Sequence, residues 1–397
     1  MGCYVVLQRT QSNVLIEKLV TKMKNAIKEI IENNISLDIM TTLNVGGPAE
    51  YFARVKDISV IPRLVAFAVE NHLEILVLGE GSNVVISDNG FKGLVVKLET
   101  NNIELLSETP DSVLIKVDGG CNWDSLVAHT VNNGWWGLEN MSLIPGSVGA
   151  SPVQNVGAYG QECKNVINSV NVYDTKTNTF TVIENADCDF SFRESIFNTT
   201  EKDRYIITSV EFKLNKKSSP ILTRPELRVG LDFNLPSSEL QMRIRKRVIE
   251  LRTSGKALPN KLTQGSAGTF YRTTVVSLSK LMSTFFKSLF KLGPKIAIII
   301  VVFGWRYRST KGYRVPSRMI IDACGLQALS VGDVRLYESN SAVLVTDKNG
   351  SPKAADIVTL TKQLRKLVYK KTGFKVPIEP TLVGFNSSEL KDIFNLQ

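Results

Sequence analysis

The spacing of hydrophobic positions changes several times along the chain, and each change marks an element. From residue 14 to 32, Ile16, Leu19, Met23, Ile27, Ile30 and Ile31 recur every three or four positions, which is the period of an amphipathic helix. This predicts an N-terminal helical segment over residues 1–35. The strand-like run 51–55, the helical run 61–72 and the strand-like run 74–79 then form a β-α-β beginning, whose last strand leads directly into Gly79-Glu80-Gly81-Ser82-Asn83. Further apolar runs at 93–98, 113–118, 166–174, 179–184 and 205–214 predict strands. Asn122 is placed to cap a helix that follows it.

Apolar periodicity lapses in the polar, proline-containing stretch 215–225, which divides a first domain, 36–225, from a second, 226–397. The second domain has helical patterns at 238–252, at 276–290, around 318–324 and from Ala354 onward, the last with Ser351 and Pro352 placed to start it. The most apolar run, 296–305, is far shorter than the roughly 20 residues that cross a bilayer, and it predicts a buried strand. Strands interspersed with helices give an α+β chain.

Composition narrows the class further. The 397 residues exceed the size at which one core usually stops growing, and 43% hydrophobic with 22% charged residues is a soluble globular balance. Five widely spaced cysteines without a CxxC pair argue against a disulfide framework or a zinc site and suit a reducing compartment. The two histidines, His72 and His129, both fall in helix-like stretches, which argues against a histidine-built metal centre or Ser-His-Asp triad, and no metal is expected. The opening residues lack the pattern of an export signal, so a cytoplasmic protein is expected. The net charge of +10 is spread along the chain, which points to small anionic ligands and to neither nucleic acid nor membrane as partner. Arg243, Arg245, Lys246 and Arg247 lie apart from the apolar stripe Ile244, Val248 and Leu251, as on a solvated helix face.

Two glycine-rich segments carry candidate chemistry. LGEGSNVV, 78–85, follows a strand and offers consecutive backbone N–H groups around Gly79 and Gly81, a nest suited to a pyrophosphate, with Ser82 and Asn83 as side-chain donors. Taken alone, a simple turn between strands explains it equally well. The 24-residue segment GLENMSLIPGSVGASPVQNVGAYG, 137–160, keeps the apolar anchors Ile144, Val148, Val153 and Val156. It therefore reads as an ordered functional loop whose small residues allow close approach to a flat ring and a diphosphate.

These two segments, with TTLNVGGPAEYF (41–52) before them and FSFRESIF (190–197) after, resemble in content and order the UDP-N-acetylenolpyruvoylglucosamine reductases. The resemblance implies a two-lobed FAD-binding domain of the vanillyl-alcohol-oxidase (PCMH) type followed by an α+β substrate-binding domain. It also implies a monomer with FAD and NADPH as cofactors and a UDP-sugar as substrate. In that family NADPH reduces the flavin, and hydride passes to the enolpyruvyl ether of UDP-N-acetylglucosamine, giving UDP-N-acetylmuramate for peptidoglycan. By the same resemblance, FAD contacts fall on Gly79, Glu80, Gly81, Ser82, Asn83 and Val84. Further ones fall on Pro145, Gly146, Ser147, Val148, Gly149, Ser151, Asn155, Gly157 and Tyr159.

Arg193 matches the family arginine set against the substrate carboxylate, with an ion pair to Glu194 as its structural alternative. Lys256 and Arg272 are expected to bind anionic groups. In QGSAGTFYRT (264–273), Thr269 stands where the family has its proton-donating serine, and in PIEPTLVG (377–384) Thr381 stands where it has a catalytic glutamate. Glu379, two positions earlier and on the same side of an extended segment, is the carboxylate placed to substitute in part, with a structural surface carboxylate as its alternative. Phe192 replaces a tyrosine. These departures leave a second functional reading: a catalytically impaired relative that binds FAD or a nucleotide sugar without reductase turnover.

Overall fold

The computed structural model describes residues 30–256, 258–306, 308–309 and 312–394. The expected N-terminal helix lies outside these residues except at its end, where the chain has already become a strand. That strand, β1 (Ile31–Ser36), pairs antiparallel with β2 (Pro48–Val55). Helix α1 (Ile61–Glu70) then leads to β3 (Glu74–Val77), β4 (Val84–Ile86) and β5 (Phe91–Leu98). The first sheet has the order β1-β2-β5-β3, with β2, β5 and β3 parallel. Ile61, Leu64, Val65 and Ala68 recur at helical spacing on α1 and are buried against Ala53, Leu94 and Val96 of the sheet.

The second lobe contains β6 (Ile103–Glu108), β7 (Ser112–Asp118), α2 (Trp123–Asn132), β8 (Ile167–Asp174), β9 (Thr179–Glu184) and β10 (Tyr205–Asn215). Its sheet is antiparallel throughout, in the order β9-β8-β10-β7-β6. Asn122 caps α2 as expected, accepting from the Ser125 N–H at 3.0 Å. Tyr173 and Ile206 of this sheet pack into the core of the first lobe, so the two lobes share buried surface.

Beyond the 215–225 stretch come α3 (Ser237–Thr253), β11 (Gln264–Thr269), β12 (Thr274–Val276), α4 (Leu278–Leu292), α5 (Pro294–Arg306), β13 (Gly312–Val315) and α6 (Ser317–Ala323). Then follow β14 (Ser330–Val331), β15 (Val334–Tyr337), β16 (Asn340–Asp347), α7 (Ala354–Thr372) and β17 (Thr381–Val383). The main sheet here is antiparallel, β11-β16-β15-β14. Ile357, Leu360, Leu364 and Val368 of α7 join its core.

Two expectations are corrected. The apolar run 296–305 is helix α5, not a strand. A continuous apolar run does not distinguish the two. What decides is Gly293, at φ +90°, which ends α4, and Pro294, which starts the next helix. The start of α7 is capped not by Ser351 and Pro352 but by Asp88 of the first domain, whose carboxylate accepts from the N–H groups of Ala354 (2.8 Å) and Ala355 (2.9 Å).

The C-terminal segment returns to the first domain, where β17 pairs in parallel with β4, Thr381 opposite Val84 and Val383 opposite Ile86. Helix α3, grouped with the second domain by sequence, packs Leu240 and Ile244 on Trp136 of the first. Residues 377–381 are thereby held beside the Gly79–Asn83 loop.

Candidate active site

The two glycine-rich segments meet. Ser82 Oγ donates to the Pro145 carbonyl at 3.0 Å, and a Cβ added at Gly79 would lie 2.7 Å from Ser147 Oγ. Gly81 has φ +60°, and a Cβ there would come within 2.1 Å of the Met40 carbonyl oxygen, so only glycine fits. Among the described residues, the N–H groups of Glu80, Gly81, Ser82 and Asn83 donate to no protein acceptor. A row of unpaired N–H groups bordered by small residues suits a diphosphate. The Glu80 side chain is exposed, so this residue offers its backbone rather than its charge.

The long segment is rigidly anchored. Val148 N–H donates to the Cys121 carbonyl and Gly149 N–H to that of Gly119, each at 2.8 Å, and Trp123 Nε1 donates to the Met141 carbonyl at 3.0 Å. Fully buried Glu139 accepts from Gly137 N–H (2.9 Å), from Gln161 Nε2 (2.5 Å) and from Gln241 Nε2 on α3 (3.3 Å). Asp124 accepts from Leu143 N–H (2.6 Å) and takes a two-pronged contact from Arg245 (2.8 and 2.9 Å). Arg245 therefore braces the loop, unlike Arg243 and Lys246, which keep to the exposed face as expected, while half-buried Arg247 donates its Nε to the Glu226 carbonyl at 3.0 Å.

Several residues expected at the cofactor also build this framework. Val148 is fully buried, and Ser151 Oγ donates to the Val148 carbonyl at 2.8 Å. Asn155 spends its side chain on the Ser191 carbonyl (2.9 Å), on Glu162 (2.8 Å) and on the Lys164 N–H (3.1 Å). That places Asn155 between the loop and the segment bearing Arg193. Val84 is buried in β4, Gly149 lies against Gly119, and Gly157 lies against the Gln161 carbonyl. Pro145, Gly146 and Ser147 remain at the junction with the first loop, where Gly146 has φ +146°.

Arg193 sits in the left-handed region at φ +62°, which costs a non-glycine residue about 1–3 kcal/mol. The Asn198 side chain holds its carbonyl at 3.2 Å. Glu194 turns to Ser191 Oγ (3.1 Å), so the expected alternative pairing is not made. Arg193 Nε instead faces Glu379 Oε1 at 3.5 Å, a separation longer than a charge-assisted hydrogen bond. The Glu379 side chain is 13% exposed. Burial pushes its carboxyl above the ordinary value, and the charges of Arg193 and Arg272 pull it partly back.

The neighbouring backbone fixes this group: Glu379 N–H donates to the Phe270 carbonyl (2.9 Å) and Arg272 N–H to the Pro377 carbonyl (3.1 Å). Thr269 is exposed at the end of β11, one residue from that contact. Thr381 is exposed on β17, its N–H on the Asn83 carbonyl at 3.0 Å. Lys256 is exposed beyond α3, and it makes no ion pair with Glu379.

The sequence reading did not single out Arg252. It lies on the same face of α3 as Gln241 and Arg245, at i, i+4 and i+11. Its Nε has no hydrogen-bond partner among the described residues. Burial pulls the guanidinium down from its ordinary value, and the nearby Tyr159 opposes that. Tyr159, at φ +48°, is itself raised by burial. An unpaired, desolvated cation beside the loop is suited to an anionic ligand.

Residues 49–182 match the family described as FAD binding domain. The chain is thus a flavoprotein in class, with a two-lobed FAD-binding domain of the vanillyl-alcohol-oxidase type and a second domain behind it. Residues 260–383 match the family described as UDP-N-acetylenolpyruvoylglucosamine reductase, C-terminal domain. The UDP-N-acetylenolpyruvoylglucosamine reductase of Flavobacterium johnsoniae is 31% identical over 89% of this chain and 99% of its own length. That of Neisseria meningitidis serogroup B is 35% identical over 77% of this chain and 84% of its own. The crystal structure of the Thermus caldophilus reductase shares the fold, with a TM-score of 0.61 at 20% identity over 89% of this chain and 98% of that one. The chain belongs to the UDP-N-acetylenolpyruvoylglucosamine reductase family.

Proposed function

We propose that this protein reduces the enolpyruvyl ether of UDP-N-acetylglucosamine to UDP-N-acetylmuramate, in peptidoglycan precursor synthesis, with NADPH as reductant. The residues present fit FAD. The unpaired N–H groups of Glu80–Asn83 would take its diphosphate, and Pro145–Ser147 would border it. When bound, FAD supplies the hydride that reduces the enolpyruvyl double bond.

The protein must do the rest: hold the substrate carboxylate, stabilise the enolate-like charge, and deliver a proton to the neighbouring carbon. Arg193 is the fixed cation for the first two tasks. Its loose 3.5 Å approach to Glu379 leaves the guanidinium able to take a substrate carboxylate. Glu379 holds the proton at its carboxyl oxygen, because burial keeps the neutral acid populated at higher pH than for an ordinary carboxylate. Thr269, exposed one residue before the Phe270 carbonyl that accepts from the Glu379 N–H, is assigned here as a further hydroxyl donor. Arg272 and Arg252 add positive charge for the pyrophosphate of a UDP-sugar.

The observation that carries this reading is the Arg193–Glu379 pair, which restores a carboxylate to a cleft where Thr381 has none. The test uses the FAD-loaded protein without oxygen. NADPH should bleach the flavin, and UDP-N-acetylglucosamine enolpyruvate should restore its colour. Bleaching without recolouring would overturn the proposal in favour of an impaired relative.

A further inference from the structure

Helices α4 and α5 form a hairpin at the second domain with two unlike surfaces. Its inner face is built from Leu281, Thr284 and Ser288 of α4 and Ala297, Ile300 and Gly304 of α5, all buried. The helices approach closely there, since a Cβ on Gly304 would come within 2.9 Å of Leu281 Cδ1. Facing out are Phe286, Phe290, Ile298, Val302 and Trp305, with Phe290 82%, Val302 55% and Trp305 50% exposed. Single exposed apolar residues are ordinary, but a run of five on one hairpin marks an interaction surface.

Charge identifies the partner. Between Glu250 and Asp322 the sequence holds thirteen Lys or Arg and no Asp or Glu. On α5, Lys295, Ile299, Val302 and Arg306 follow one another at i, i+4, i+7 and i+11, so the outer stripe is apolar in the middle and basic at both ends. Lys291 follows Phe290 at the turn between the helices. Trp305 lies beside Tyr313 with 5.4 Å between ring centroids, and the Arg308 guanidinium lies over the indole at 5.9 Å.

We propose that the α4–α5 hairpin docks this protein on the surface of an anionic lipid bilayer. An apolar stripe enters the headgroup boundary while flanking Lys and Arg reach the lipid charges, and a tryptophan sits at that depth. Each basic residue near such a surface strengthens that attraction. A second copy of the chain fits less well, because two acid-free basic faces repel. A nucleic acid would gain nothing from Ile298 and Val302. The docking is peripheral: no helix among the described residues is long and apolar enough to cross a membrane. Docking of this kind would replace the expectation of no membrane partner, which took this run for a buried strand.

The experiment sediments the full FAD-loaded chain with phosphatidylcholine vesicles, with and without phosphatidylglycerol. Binding is expected with the anionic vesicles, weakened by salt, accompanied by a blue shift of emission that Trp305→Phe removes. The double variant Phe290→Ser, Val302→Ser should bind at least about tenfold more weakly, while its flavin spectrum stays unchanged. Failure of the wild type to sediment with anionic vesicles overturns the proposal, as does undiminished binding by the double variant. A concentration-dependent dimer abolished by the same two substitutions also overturns it, since a second copy would then cover the face.

Discussion

At Glu379, burial and charge oppose one another, and the balance sets what the carboxyl can do. Burial favours the neutral acid, Arg193 and Arg272 favour the anion, and the net displacement is upward. A donor must be protonated when it acts. The substrate-reduction rate should therefore hold at low pH and fall as pH rises through the raised value, in stopped-flow recolouring of the reduced enzyme. Glu379→Gln should slow that step by about 10²–10⁴ while leaving bleaching by NADPH intact; equal loss in both half-reactions would point to a damaged flavin site instead. Thr381→Glu should raise the rate of the same step, because the position is exposed beside the Asn83 loop. The family resemblance of residues 377–384, with the period of two along an extended segment, made Glu379 a visible candidate from sequence. The Asn155 contacts and the orphaned Arg252 Nε were not visible, because each depends on which distant backbone lies opposite.

Among the elements, α3 shows how local pattern can be right and still incomplete. Its apolar stripe and exposed Arg243 and Lys246 follow from spacing alone. That Gln241 and Arg245 face Glu139 and Asp124 is a fact of tertiary packing across more than a hundred residues. This helix holds the long loop from outside, so Asp124→Ala should leave the half-buried Arg245 unpaired and free the Leu143 N–H. The expected loss is about 1–3 kcal/mol in a urea titration, together with weaker FAD retention on dialysis. An unchanged FAD affinity would show that the loop keeps its shape without the brace. Helix α5 illustrates a different limit. Apolar content identified a packed element, but whether it is strand or helix depends on the Gly293-Pro294 break and on the small residues Ala297 and Gly304 that let α4 approach.

Across the whole molecule, the two domains are stitched by groups that no local pattern reveals. Asp88 caps α7, β17 pairs with β4, Thr346 Oγ1 donates to the Leu43 carbonyl at 2.6 Å, and Ser266 N–H donates to that of Thr42 at 2.8 Å. The same interface brings Glu379 to Arg193, so integrity of the domain contact and assembly of the site are one event. Calorimetry should accordingly show one cooperative transition, with added FAD raising its midpoint. A ligand at a hundredfold excess over its dissociation constant contributes about 2.7 kcal/mol to the state that binds it. Asp88→Ala leaves the first N–H groups of α7 uncapped and should cost about 0.5–2 kcal/mol. Because α7 carries much of the second domain's core, that loss should lower the single transition as a whole and weaken FAD's effect on it little. Two resolved transitions, of which FAD moves just the first, would mean that the domains unfold independently and that Glu379 reaches Arg193 by a contact too weak to couple them.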